Sequence, residues 1–134
     1  MATREARILH TSIDVPFADA YAFAHRPENF PQWAAGLSGS LTRTERGWTT
    51  PSPDGDVVIR FTEPNAHGVV DHWVTIPGKP ENYMPMRLFA NGDGTEVEIA
   101  LVRIAGMDDA AFGQDAAAIE RDLASLKRVL ESRR

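Results

Sequence analysis

The stretch PMRLFANGDGTEVEIALVRIAGM, residues 85–107, decides how the rest of the chain is read. Its centre, Asn91-Gly92-Asp93-Gly94, joins two glycines to two short polar side chains, the chemistry of a tight hairpin turn. Folding about that turn sets Ala90 against Thr95, Leu88 against Val97 and Met86 against Ile99, and a continued strand would set Met84 against Leu101. One face is then apolar, while the other sets Arg87 against Glu98, so both faces agree on one register. A slip of one residue would swap the faces.

The preceding stretch VVDHWVTIP, residues 69–77, takes the same test. With Asn65-Ala66-His67-Gly68 as the turn and Glu63 opposite Gly68, Phe61 meets Val70, Ile59 meets His72, Val57 meets Val74 and Arg60 meets Asp71. His72 is then the one imidazole on an inner surface shared with Ile59, Phe61, Val70, Val74, Met84, Met86, Leu88, Val97, Ile99 and Leu101. Arg103 and Glu63 continue the parity of that surface and are placed at its ends, whereas Trp73 faces outward.

Working outward, Phe112, Ala116, Ile119, Leu123, Leu126 and Leu130 recur at spacings of three and four, which predicts one long amphipathic helix. From Asp108 to Glu131 it would run roughly 36 Å, enough to cross a sheet. At the other end of the chain Leu9, Thr11, Ile13 and Val15 alternate with polar residues and predict a strand over 7–15, with His10 on its wetter face. Pro16 then opens a short helix over 17–24, and Pro27 a second short helical segment that carries Phe30 and Trp33 and stops at Gly36. Turn signals divide the remainder into strands at 38–45, 47–51, 56–63, 69–76, 82–90 and 94–104.

The 134 residues make a single domain, 1–134, with 43% apolar and 25% charged residues, ordinary values for a globular fold. Fourteen Lys plus Arg against nineteen Asp plus Glu leave a net charge of −5, a balance that disfavours nucleic acid as a partner. No apolar run is long enough to span a bilayer, and the N-terminus has no apolar core of a secretory signal, so no membrane partner and a cytoplasmic location are expected. With no cysteine there is neither a disulfide framework nor a thiolate nucleophile or zinc ligand.

The order of strand, two short helices, antiparallel meander and long C-terminal helix resembles the SRPBCC (START/Bet v 1-like) superfamily, and within it the small bacterial polyketide cyclase/dehydrase-like proteins. The likeness is carried by SIDVPFADAYAFAHRPENFPQW at 12–33, VVDHWVTIP at 69–77, PMRLFANGDGTEVEIALVRIAGM at 85–107 and ERDLASLKRVLE at 120–131. It implies an α+β helix-grip fold, a curved antiparallel sheet gripping the long helix over a cavity that takes a small hydrophobic or aromatic molecule. That superfold hosts many functions, so the activity is read from the residues.

His72 is the candidate for proton transfer or ligand orientation, since polar groups converging in an apolar pocket usually orient ligands; the alternative is a core histidine satisfied by a backbone carbonyl. The expected ligand contacts are Phe30, Trp33, Ile59, Phe61, Glu63, Met84, Met86, Ile99, Leu101, Arg103, Phe112 and Ile119, with Arg103 or Glu63 assisting at a mouth. No cofactor and no metal are expected, because His25 with Glu28 and His67 with His72 lack the geometry and the third ligand of a metal site. Gly36-Leu37-Ser38-Gly39-Ser40 lacks the spacing of a nucleophile elbow, and Asn91–Gly94 leads into a strand rather than a phosphate-binding helix. The readings that remain are a cyclase or dehydratase acting on a polyketide-like molecule, a non-catalytic carrier or sensor with the same pocket, and a co-chaperone-like module working through the outer sheet face at Arg60, Asp71 and Trp73. Monomer and homodimer both stay open.

Overall fold

The structure, a computed structural model, describes residues 2–34, 36 and 39–133. The chain runs β1 (Ala6–Ile13), α1 (Phe17–Ala24), a 3-10 helix (Pro27–Gln32), β2 (Thr42–Thr44), β3 (Gly47–Thr50), β4 (Val57–Phe61), β5 (His72–Thr75), β6 (Asn82–Met84), β7 (Met86–Asn91), β8 (Gly94–Val102) and α2 (Asp109–Ser132). The strands form two antiparallel sheets, one of order β1-β8-β7 and one of order β2-β3-β4-β5-β6. Residues 68–70 join them: the Val70 N–H donates to the Met86 carbonyl (2.9 Å) and the Leu88 N–H to the Gly68 carbonyl (2.8 Å). Gly68 is required at that seam, because it has φ +72° and a Cβ would collide with the Leu88 carbonyl.

The hairpin over 86–99 has the expected register, with Ala90 opposite Thr95, Leu88 opposite Val97, Met86 opposite Ile99 and Arg87 opposite Glu98. The expected Met84–Leu101 pair does not form. Pro85 has no N–H to offer a ladder and divides the 82–90 strand, so Met84 pairs with His72 in the other sheet. The β4–β5 pairing also departs from expectation, by two residues: Phe61 lies opposite His72, Ile59 opposite Val74 and Arg60 opposite Trp73. The cause is the Asn65 side chain, which donates to the Glu63 and Val69 carbonyls and accepts from the His67 and Val69 N–H groups. That network builds a wide loop in place of a tight turn, and 68–70 is recruited by β7.

A two-residue shift keeps side-chain parity, so His72 remains on the inner face. The expected Arg60–Asp71 pair is lost, however. Arg60 instead meets Glu81 at 3.1 Å and lies over the Trp73 ring, while Asp71 accepts from the Tyr83 hydroxyl (2.7 Å) and the Met86 N–H (2.8 Å).

α1 has the expected bounds. The segment after it is a 3-10 helix because Pro31 inside it has no N–H to give an α-type bond. Of the strand expected over 38–45, Thr42–Thr44 forms, and Ser38 lies outside the described residues. α2 starts on Asp108, whose carboxylate accepts from the Ala111 N–H (2.8 Å), and buries Phe112, Ala116, Ile119, Leu123, Leu126 and Leu130. Farther along, Lys127 donates to the Ser12 carbonyl (2.6 Å), and Glu131 accepts from the Asp14 N–H (2.9 Å) and pairs with Lys127 (2.8 Å). The helix thus ties down the backbone at the outer edge of β1, a position otherwise open to strand pairing.

Candidate ligand-binding site

The core residues of both sheets and of α2 form one continuous buried cluster. Within it, one end of the five-stranded sheet is aromatic. Phe30, carried by the 3-10 helix, stands edge-on to Trp33 (4.9 Å between ring centroids), Phe61 (5.3 Å) and His72 (5.1 Å). Phe61 and His72, opposite one another on β4 and β5, are 5.8 Å apart. Sequence-distant residues meet here because the two prolines of PENFPQ hold a tight segment whose apolar side chains close on the inner sheet face.

His72 is 4% exposed. Its Nδ1 lies 3.1 Å from the Val70 carbonyl, which can only accept, so Nδ1 carries the hydrogen. Burial pushes the imidazole pKa below its ordinary 6.5, against the smaller opposing effects of the Val70 carbonyl and of Asp71. The ring is therefore neutral near pH 7, with the Nε2 lone pair free of the hydrogen that Nδ1 holds, the form that a general base requires.

Phe61 is only half-buried, and its other side belongs to an open groove of about 640 Å³. The α1-to-3-10 junction at His25–Glu28 makes one wall of the groove. Residues 43–48 and 60–64 make the other, with Trp48 and Phe61 as its apolar surface. Phe61 separates this groove from the buried His72 and Phe30. The rim is charged: Arg46 pairs with Asp56 (2.8 Å) and Arg60 with Glu81 (3.1 Å), so two of its arginines are already neutralised.

Of the residues expected to contact a ligand, Phe30 and Phe61 pack against His72, Trp33 packs against Phe30, and Met84 lies opposite His72 on β6. Ile59 is buried one row farther along β4. Met86 and Ile99 pair in the other sheet and are buried, as are Leu101 and the helical Phe112 and Ile119. Glu63 is exposed and borders the groove. Arg103 is committed elsewhere: its guanidinium donates to Asp109 (2.7 Å), Glu5 (3.2 Å) and the Met107 carbonyl (2.9 Å), tying the end of β8 to the start of α2. It also lies 5.6 Å from the centroid of Phe112, whose ring Arg7 approaches at 4.9 Å. Among the described residues no group of three or more His, Asp or Glu side chains is placed to hold a metal, and no helix is long and apolar enough to cross a membrane.

Two site features escape a reading of the chain. Trp48 and Thr50 share the inner face because they lie opposite Ile59 and Val57, a parity that the β3–β4 pairing reveals. Two buried polar atoms, Trp33 Nε1 and Thr50 Oγ1, have no hydrogen-bond partner among the described residues. Orphaned groups of this kind are uncommon in a packed interior.

No protein-family model matches the chain, and neither does any curated protein. Solved structures do. DynU16, from the dynemicin biosynthetic locus, superposes with a TM-score of 0.69 at 20% identity, over 95% of this chain and 47% of its own. Ara h 8.0201 gives 0.69 at 11% identity over 96% and 98%. CalU16 from Micromonospora echinospora gives 0.64 at 17% identity over 93% and 73%. The chain thus spans about half the length of DynU16. Identities this low speak to architecture, and the architecture agrees throughout: this chain has the α+β helix-grip fold of the Bet v 1-like proteins, antiparallel sheets joined to one long C-terminal helix.

Proposed function

We propose that the protein binds a small hydrophobic, ring-bearing molecule that approaches through the groove at Trp48 and Phe61 and reaches the aromatic cluster around His72. The observation that carries this reading is the position of Phe61, one side on an open groove of about 640 Å³ and the other against a buried, neutral imidazole. Apolar surfaces with a few convergent polar groups are the usual composition of small-molecule sites. The fold likeness to DynU16, a protein of a biosynthetic locus, supports a ligand of the aromatic or polyketide-like class. On this reading His72 is the proton-transferring group of a cyclisation or dehydration. Its Nε2 takes a proton from the substrate and returns it to a departing hydroxyl, which leaves as water, so no redox partner is needed.

Native mass spectrometry of the purified protein, followed by mass analysis of an organic extract, tests the binding step. A defined adduct near one per chain is the expected result; a bare chain that also fails to bind added polyaromatic ligands sinks the reading. Turnover is separated from binding by His72→Leu, which should abolish conversion of the captured molecule while leaving its affinity within a few-fold. Parallel loss of both, in a folded variant, would count against His72 as the proton-transferring group and assign it to ligand orientation.

A further inference from the structure

We propose that the indole N–H of Trp33 is the donor that selects the ligand, and that the ligand is an aromatic ketone whose carbonyl oxygen accepts from Trp33 Nε1. The proposal rests on the ligand-binding reading above and adds the chemical class.

Trp33 is 2% exposed and its Nε1 has no partner among the described residues, although an indole nitrogen can only donate. A donor held in that state favours any bound group that brings an acceptor. The surroundings narrow which acceptor. Phe30 packs edge-on to the indole, and Phe23, Ala34 and Leu41 belong to the same buried cluster, so the interior is apolar. A carboxylate or phosphate would have to bury its charge there, and the basic side chain in ring contact with Phe30, His72, is neutral. A neutral oxygen meets the donor without that penalty.

The distance between polar points supports a ring-bearing ketone over a small one. Trp33 and His72 both meet Phe30 edge-on, with centroids 4.9 and 5.1 Å from it, so the indole and the imidazole are at most about 10 Å apart. That separation suits a ligand of one or two aromatic rings with its carbonyl at the indole and a hydroxyl or acidic C–H toward His72. The other orphaned atom, Thr50 Oγ1, belongs to the end of β3, opposite Val57 at the start of β4, and a hydroxyl can both donate and accept. It therefore leaves the ligand class unchanged.

The test compares 2-acetylnaphthalene with 2-ethylnaphthalene, which share ring and side-chain length and differ in one carbonyl, on the wild-type chain and on Trp33→Phe. The ratio of the two affinities cancels differences in water solubility when wild type and variant are compared. The expected result is a ketone preference about fivefold larger in wild type than in Trp33→Phe, the scale of one buried hydrogen bond. An unchanged ratio, with both compounds still bound, overturns the assignment of Trp33 and leaves ligand binding standing. Failure of wild type to bind either compound overturns both. Should Trp33→Phe not fold, the indole ¹⁵N–¹H resonance of Trp33 in the wild type serves instead. A downfield shift with the ketone and none with the hydrocarbon supports the proposal, and a shift confined to another tryptophan refutes it.

Discussion

His72 shows how one residue can be legible in kind and not in detail. Alternation along 69–77 placed it on the inner face, and burial makes it neutral, yet only the fold supplies its ring neighbours and the Val70 carbonyl. The depressed pKa carries a sign for stability. The unfolded chain takes up a proton near pH 6.5 that the folded imidazole refuses, so stability is undiminished above that value and declines as pH falls below it. His72→Phe should remove that part of the slope. Denaturant titrations at pH 7.5 and 5.5 should show wild type losing more stability than the variant, with a difference bounded by about 1.4 kcal/mol per pH unit below pH 6.5. Equal losses would mean that the folded imidazole takes up the proton as readily as the unfolded one.

At the scale of elements, β1, β7 and β8 are joined on their outer face by a single carboxylate. Glu96 accepts from Ser12 Oγ (2.6 Å), from His10 Nδ1 (2.7 Å) and from Asn91 Nδ2 (3.0 Å), and these bonds, Ser12 first, hold its pKa below the ordinary 4.5. A carboxylate so held contributes stability above pH 4.5 that is lost as pH falls through its lowered folded value. Glu96→Gln should therefore be less stable than wild type at pH 7 and should approach it at pH 3, as urea unfolding at the two pH values would reveal. A gap of constant size would show that shape rather than charge holds the three strands. The two-residue shift between β4 and β5 belongs to this scale as well. The apolar pattern did not exclude it, because that pattern repeats every two residues; the Arg60–Asp71 pair favoured the other register, and the decision fell to the Asn65 loop.

Across the whole molecule, the groove and the buried aromatic cluster are neighbours separated by one side chain. Phe61→Ala should open the path between them, raising the association rate of a fluorescent naphthalene probe while costing less than the roughly 3–5 kcal/mol typical of a fully buried phenylalanine, since this ring is half-buried. Stopped-flow fluorescence would measure the rate, and an unchanged rate would show that Phe61 does not control access. On the outer face of the five-stranded sheet, Trp73 is stacked on Tyr83 (5.1 Å) and covered by Arg60.

The order of elements, the long helix, the 86–99 hairpin and the inward side of His72 were determined by the amino-acid sequence alone, because each depends on periodicity or on turn chemistry within about thirty residues. Tertiary structure decided the rest. The pairing of Met84 with His72, the recruitment of 68–70 by β7, the bond of Arg103 to Glu5, and the orphaned Trp33 and Thr50 all depend on which distant backbone or side chain competes for a hydrogen bond. Such competition is settled by geometry between segments far apart in the chain, and no local pattern of residues encodes its outcome.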